Sequence, residues 1–379
     1  MAGNILHRSV LKPGPSGWII AAAAAVALAA CSSGGAGSTS PSGSTSPSGS
    51  KEIVAFLPPA SDPYVANWLK SANDVAGKAG YTIRVITEDS GSAAAAQVQQ
   101  VLGSGKLPPF FIWWPIQPEA QVGSLAQLSE AGVPVFQVNQ LPVTGSDKYL
   151  TAYMGVSDIE IGKIAGGAAI QARDKLKASG ATLSSPGGNV IVPNLPVGYG
   201  ATRDRLAGFE EAIKGSGLKV IAVGNATGFA AQDAFTLTSQ MIAANKSAGF
   251  DIVYAPEDDY AVGGIRALIQ EGYKLGSNVE MIGGSCHGDD STLKDGTQFN
   301  TIIQGAGLEG QFALDRMLQY TKNPTVQDGT YIAPADADAM PALPDTISKL
   351  NIIPTPLVLA ADYPTSKLWG QLDTTWCTY

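Results

Sequence analysis

From Lys51 onward, short apolar runs alternate with segments whose apolar residues recur every three or four positions. "EIVAFLP" (52–58) is a continuous apolar run and reads as a buried strand. "YVANWLKSANDVAGKAG" (64–80) places Val65, Trp68, Leu69, Ala72, Val75, Ala76 and Ala79 on one helical stripe. The alternation continues. Strands are predicted at "YTIRVIT", "FFIWWP" and "VPVFQVN", with helices at "SAAAAQVQQVLG" and "PEAQVGSLAQLSEAG" between them. It resumes with the helix "DIEIGKIAGGAAIQARDKLKASG" and the strand "NVIVPN". "GYGATRDRLAGFEEAIKGSGLKVIAV" (198–223) reads as loop, helix and strand. The helices "AAQDAFTLTSQMIAANKSAG" and "AVGGIRALIQEGY" then alternate with the strands "FDIVYAP", "VEMIGG" and "NTIIQGAG".

Helical patterns give way to Gly80, Gly132, Gly217 and Gly249 just before a strand, where glycine takes the left-handed conformation without a Cβ penalty. Buried strands alternating with helices imply α/β architecture with parallel sheets covered on both faces. Roughly ten strands are too many for one compact sheet and natural for two. Two doubly wound lobes are therefore expected. In such sheets ligands bind beyond the carboxy ends of the strands. Those ends include "PPASDPY", "WWPIQPE", "VNQLP", "VPNLPVGYGATR", "APEDDY" and "GGSCHGDD", rich in proline, glycine, aromatics and uncharged or acidic groups.

Residues 1–50 do not share this rhythm. His7, Arg8 and Lys12 precede the apolar run "GWIIAAAAAVALAAC", a secretory signal pattern too short for a confident membrane span. "LAAC" (28–31) resembles the bacterial lipobox, which implies cleavage before Cys31 and a diacylglycerol on its thiol. An ordinary signal peptide with Cys31 incidental is the alternative. "SSGGAGSTSPSGSTSPSGS" (32–50) has no charge and no large apolar side chain, so it is expected to be a flexible tether. Its reach is about 25 Å. The expected localisation is extracytoplasmic, on the outer face of a bacterial membrane.

The formal net charge of −8 opposes nucleic acid as a partner, because phosphate binding relies on clustered Lys and Arg. Of three cysteines, Cys286 and Cys377 remain once Cys31 is lipidated. An even pair in an oxidising compartment predicts a disulfide between them. No zinc spacing and no phosphate loop is present, since Leu107 follows the lysine of "GSGKL" where Ser or Thr is needed. Neither a cofactor nor a catalytic residue is expected. The acids Glu257, Asp258, Asp259, Asp289 and Asp290 with His287 match no known metal cage, and acids at strand ends commonly cap helices.

Arg203 raises a separate question, since a cation in the first turn of a helix opposes the helix dipole. Pairing with Asp204 or Glu211 at the surface would compensate it. So would a ligand.

With the leader, the tether and the two-sheet pattern, the chain resembles the type I periplasmic binding proteins of the ribose/galactose class, from about Lys51 to Asp362. Five segments in order carry the resemblance: "SDPYVANWLKSANDVAGKAGY", "AGVPVFQVN", "GVSDIEIGKIAG", "GATRDRLAGFEEAI" and "VYAPEDDYAVGGIRAL". It implies a small polar ligand, a sugar or polyol, captured between lobes by hinge closure and delivered to the permease of an ABC importer. A monomer is expected. By the same resemblance Arg203 donates to sugar hydroxyls, and Tyr64 stacks on the ligand beside Asp62. Trp68 lines the cleft or lies in the core. Asp158 opens the second lobe, Phe229 is a second stacking ring, and Gln304 is a hinge amide. Departures from the family's pattern stand at Trp114, Asn139, Gln140, Glu257 and Gly284–Ser285, and imply a differently shaped ligand: a deoxy-sugar, a polyol, an oligosaccharide or a non-sugar polar molecule.

The implied lobes are 51–157 with about 305–335, and 158–304 with about 340–379. Chain crossings are expected at 156–158, 304–307 and in the tail around 330–345. Two other functions remain open: a sensor feeding a kinase or chemoreceptor, and a glycoside hydrolase using His287 and the acid cluster. A repressor of the same architecture is opposed by the lipobox and the lack of a helix-turn-helix before Lys51.

Overall fold

A computed structural model describes residues 51–372, apart from 89, 90 and 287. The signal segment, the tether, Cys31, His287 and Cys377 lie outside the described residues. The first half of the chain runs β1 (Glu52–Leu57), α1 (Pro63–Lys78), β2 (Thr82–Thr87), α2 (Gly91–Gly103), β3 (Phe111–Trp113), α3 (Val122–Glu130), β4 (Val135–Val138) and β5 (Ala152–Gly155). The second runs α4 (Asp158–Ala178), β6 (Asn189–Asn194), α5 (Gly200–Ile213), β7 (Lys219–Asn225), α6 (Ala231–Asn245), β8 (Ile252–Ala255), α7 (Asp258–Gln270), β9 (Glu280–Gly283), α8 (Ser291–Lys294) and β10 (Asn300–Ile302). The chain then returns through α9 (Ala306–Lys322), β11 (Val326–Ile332), β12 (Ile347–Ile352) and β13 (Leu357–Leu359).

Two large sheets result, as the alternation predicts, besides a short antiparallel pair of strands at Lys367–Leu368 and Gln371–Leu372. The first has the order β11-β12-β5-β4-β3-β1-β2 and is parallel throughout. The second has the order β13-β10-β9-β8-β6-β7, parallel except for the antiparallel edge strand β13. Continuous apolar runs arise because each central strand is covered on both faces. Along β1, Ile53, Ala55 and Leu57 pack with α1 and α9, while Val54 and Phe56 pack with α2 and α3. Along β6, Val190 and Val192 face α4 and Ile191 faces α6 and α7. The four helix-ending glycines have φ of 77° (Gly80), 75° (Gly132), 93° (Gly217) and 68° (Gly249), left-handed as expected.

The chain passes between the sheets three times: at 156–157 after β5, at 303–305 after β10, and at 353–356 after β12. The third crossing corrects the expected 330–345. Both β11 and β12 belong to the first sheet, because β12 pairs with β5 from Leu350–Tyr153 to Ile352–Gly155. The lobe boundary in the tail moves accordingly from about 340 to about 353.

Helices α4 and α5 lie unusually close. A Cβ on Gly162 would stand 2.1 Å from the Arg205 carbonyl oxygen, and one on Gly208 would stand 2.0 Å from that of Ile159. The missing side chains let the two backbones touch, and this contact brings Arg205 beside Asp158.

Candidate ligand-binding cleft

The carboxy ends of both sheets face a cavity of about 270 Å³ between the lobes. On the first lobe, Asp62 caps α1 by accepting the Tyr64 amide proton at 2.8 Å, and Pro63 fits the first helical turn. This fixes Tyr64 and Val65 in the wall, with Pro58 and Pro59 above them and Trp114 and Ile116 beside them. Tyr64 and Trp114 meet edge to face, with ring centroids 5.9 Å apart. Beyond β4 the backbone turns at Asn139, whose φ of 62° is left-handed and tolerated by asparagine. The turn aims Asn139 and Gln140 at the second lobe.

The second-lobe wall is built around Arg205. Its Nε donates to Asp158 Oδ1 at 2.8 Å. Nη1 donates to the Pro256 carbonyl and to Ser285 Oγ, both at 2.8 Å, and Nη2 donates to Gln304 Oε1 at 2.9 Å. Four of its five N–H groups are thus engaged, and the fifth has no partner among the described residues. Burial would lower its pKa, but the charges of Asp158 and Glu257 and the hydrogen bond to Asp158 outweigh that and raise it. Asp158 is buried, and its Oδ2 has no hydrogen-bond partner among the described residues. Burial pushes its pKa up, against the pull of Arg205. Tyr199 and Phe229 complete the rim, edge to face at 5.2 Å.

The lobes touch across the mouth. Gln140 Oε1 accepts the Ala201 amide proton at 2.9 Å, in the first turn of α5. The Tyr199 hydroxyl lies 3.4 Å from Asn139 Oδ1, and Arg203 meets Glu119. A Cβ on Gly200 would stand 2.5 Å from Gln140 Oε1, so a larger residue there would push the Gln140 side chain away from Ala201. Behind Asn139, the buried Glu309 in the first turn of α9 accepts from the Tyr64 hydroxyl at 2.5 Å and from Asn139 Nδ2 at 3.3 Å. Burial raises its pKa to about 7, although both hydrogen bonds act to lower it.

Of the residues singled out in the sequence, Asp62, Tyr64, Trp114 and Asn139 line the cavity from the first lobe, and Phe229, Glu257, Ser285 and Gln304 line it from the second. Four others do not. Trp68 is fully buried beneath Trp114, with ring centroids 5.8 Å apart. Gln140 joins the lobes, and Asp158 stands behind Arg205. Arg203 departs most from expectation. Half exposed, it pairs with the buried Asp204 at 2.7 Å and with the exposed Glu119, so these two acids balance its charge against the helix dipole. The arginine in the cavity wall is Arg205, two positions further on.

The acid cluster is dispersed. Asp258 accepts from Gln298 at 2.7 Å and Thr301 at 2.5 Å inside the second lobe, and Asp290 accepts from Tyr363 at 2.8 Å. Among the described residues, no three His, Cys, Asp or Glu side chains are grouped to hold a metal ion, and no helix is long and apolar enough to cross a membrane. Cys286 is fully buried and its Sγ accepts the Gln304 amide proton at 3.3 Å.

A family model described as a periplasmic binding protein domain matches residues 53–325. The chain belongs to the periplasmic binding protein family. Its type I fold is shared with solved structures of low identity. A galactofuranose binding protein is 20% identical, with a TM-score of 0.65, over 82% of this chain and 95% of its own. An ABC transporter solute binding protein from Agrobacterium vitis with bound D-fucose is 21% identical, with a TM-score of 0.65, over 85% and 99%. The Caulobacter myo-inositol binding protein is 21% identical, with a TM-score of 0.62, over 84% and 96%. A comparison with curated proteins gives no match.

Within this periplasmic binding protein, three cleft-building residues carry no role in the sequence reading: Arg205, Tyr199 and Glu309. Arg205 had a signal. It shares a helical face with Ala201, Gly208 and Phe209, all buried, whereas Arg203 lies about 200° around the axis from it. Glu309 sits on the buried face of α9 with Leu308 and Phe312.

Proposed function

We propose that this protein is a lipid-anchored, extracytoplasmic solute-binding protein. It captures a small polar ligand, a sugar or polyol, between its lobes and hands it to an ABC importer when the closed form meets the permease. The observation that carries this reading is the cavity at the carboxy ends of both sheets, with the Arg205 guanidinium held by four hydrogen bonds in its wall. The one N–H that Arg205 keeps, held in a fixed direction by the other four bonds, suits a ligand hydroxyl, and the rings of Tyr64, Trp114, Tyr199 and Phe229 suit apolar C–H faces. The named ligands of the structural relatives support the same class. Closure follows from differential affinity: a ligand touching both lobes favours the closed form by the free energy of its second-lobe contacts. The three crossings provide the hinge, and no chemistry is performed on the ligand.

Lipidation at Cys31 and the 31–50 tether hold the monomeric binding protein near its permease, and a Cys286–Cys377 disulfide pins the tail to the second lobe. The test is a thermal-shift screen over sugars and polyols, followed by small-angle scattering and mass spectrometry with each stabilising compound. A stabilising compound is expected to compact the protein and to be recovered intact. Stabilisation without compaction, or recovery of a cleaved compound, overturns the reading. Labelling of Cys31 by a lipid precursor in a bacterial host, abolished by Cys31→Ala, tests the anchor.

A further inference from the structure

We infer that Glu309 is a positioning residue for the cleft: it fixes the direction of a relay of side-chain amides that ends on the second lobe, so that Asn139 and Gln140 are set to receive α5 when the lobes close. The inference deepens the proposed closure of the same cleft and rests on that reading for its purpose, although the relay is tested without a ligand.

The relay has three links. The Ala201 amide donates to Gln140 Oε1 at 2.9 Å, Gln140 Nε2 donates to Asn139 Oδ1 at 2.9 Å, and Asn139 Nδ2 donates to Glu309 Oε2 at 3.3 Å. The Tyr199 hydroxyl, also on the second lobe, lies 3.4 Å from the same Asn139 oxygen. Asn139, Gln140 and Glu309 are all buried. The two ends of the relay differ in kind. A backbone N–H only donates, and an ionised carboxylate only accepts. Between such ends each amide is satisfied in one orientation, with its oxygen toward α5 and its nitrogen toward Glu309. An amide turned over would set oxygen against oxygen on one side and N–H against N–H on the other. Each buried group left unpaired in that way costs about 1–3 kcal/mol.

The main chain of both relay residues is held separately. The Asn139 carbonyl accepts from the Tyr153 hydroxyl at 2.9 Å, and the Gln140 carbonyl accepts from Gln137 Nε2 at 2.6 Å. What Glu309 adds is the direction of the amides. Burial raises its pKa to about 7, against the pull of the Tyr64 and Asn139 hydrogen bonds, while Asp158 and Arg205 on the second lobe act in opposite directions. Tyr153, kept neutral by burial, faces it from β5. At pH 8 most of the Glu309 carboxyl is therefore ionised.

The test is hydrogen exchange of the ligand-free full chain at pH 8, read residue by residue in wild type, Glu309→Met, Glu309→Gln and Gln140→Ala. The Ala201 amide reports the relay. The Thr202 amide, bonded to the Tyr199 carbonyl at 3.1 Å within its own lobe, reports α5 itself. Gln140→Ala removes the acceptor, and Glu309→Met removes the anchor while keeping a side chain of similar length. Both are expected to speed Ala201 exchange by about fivefold or more, the equivalent of one buried hydrogen bond, with Thr202 staying within about twofold of wild type. Glu309→Gln, whose amide oxygen still accepts from Asn139, should leave Ala201 within about twofold as well. Ala201 unchanged in Glu309→Met or in Gln140→Ala, Ala201 and Thr202 accelerating together, or Glu309→Gln matching Glu309→Met overturns the inference. None of these results bears on ligand capture, which the thermal-shift screen tests separately.

Discussion

Gln140 and Ala201 sit on different lobes, and the side-chain oxygen of the first accepts the backbone proton of the second at 2.9 Å. This bond exists only when the lobes are together, and it caps an otherwise unsatisfied amide in the first turn of α5. Replacing Gln140 by Ala removes it, together with the Nε2 hydrogen bond to Asn139 Oδ1, while truncating no side chain that lines the cavity. The variant is expected to bind ligand about threefold to thirtyfold more weakly, the value of one buried hydrogen bond, and to scatter as a more open particle. Arg203→Ala removes the neighbouring pair with Glu119, which is half exposed on both sides and therefore screened. Affinity should change by less than about threefold. An Arg203→Ala variant that loses ligand while Gln140→Ala keeps it would reverse this ranking.

Asp158 makes Arg205 costly to remove. Arg205→Ala leaves a buried carboxylate without its partner, and stability to urea is expected to fall by about 3–5 kcal/mol. Arg205→Ala combined with Asp158→Asn should recover a large part of that stability and none of the ligand affinity. Recovery of affinity in the double variant would place the ligand elsewhere.

The glycine contact between α4 and α5 yields a paired prediction. Gly162→Ala drives a Cβ to within 2.1 Å of the Arg205 carbonyl, so α5 must shift. A cost of about 1–3 kcal/mol is expected, with weakened ligand binding because Arg205 moves too. Gly167, on the same helix, has nothing within 4 Å of its absent Cβ, and Gly167→Ala should stabilise by roughly 0.5–1 kcal/mol. Thermal or urea unfolding of both variants checks the contrast. Equal behaviour would mean the helices are not in contact.

Glu309 gives a pH dependence. Its carboxyl has a pKa of about 7 in the folded chain against an ordinary 4.5, so the folded chain holds the proton longer. The stability this contributes is fully present below about pH 4.5 and is lost as pH rises through 7. Glu309→Gln removes the titration. The stability difference between wild type and variant should shift against wild type by on the order of 3 kcal/mol between pH 4.5 and pH 8. A difference that does not change with pH contradicts the assignment. Glu88, raised to about 8 by burial, titrates in both proteins and cancels.

The alternation of apolar runs and helical stripes made the two sheets legible, because strands such as β1 and β6 are buried on both faces and have no polar break. The returning elements were less visible. β11 is a mostly exposed edge strand reading "VQDGTYI", and β12 reads "ISKLNI", with Ser348, Lys349 and Asn351 interrupting its run. Polar residues, exposed along β11 and partly buried along β12, break the apolar runs that mark the other strands, and the third crossing lies later than expected for that reason. At the site, strand-end residues such as Tyr64, Trp114 and Ser285 could be located, since topology alone brings strand ends together. Arg205 could not be told from Arg203 on charge. Only helical phase separates them, and phase argues for a buried guanidinium, which needs Asp158 to be tolerable and so depends on a contact 47 residues away in sequence. Trp68 has the composition of a ligand-stacking ring, but its position one turn beyond Tyr64 points it beneath Trp114 into the core.

Titration of one stabilising sugar or polyol into wild type, Arg205→Lys and Arg203→Ala by calorimetry tests the central claim most directly. A guanidinium fixed by four hydrogen bonds cannot be replaced by an ammonium, so Arg205→Lys should lower affinity by about a hundredfold or more, while Arg203→Ala stays within about threefold of wild type. Full affinity in Arg205→Lys, together with its loss in Arg203→Ala, would contradict the account.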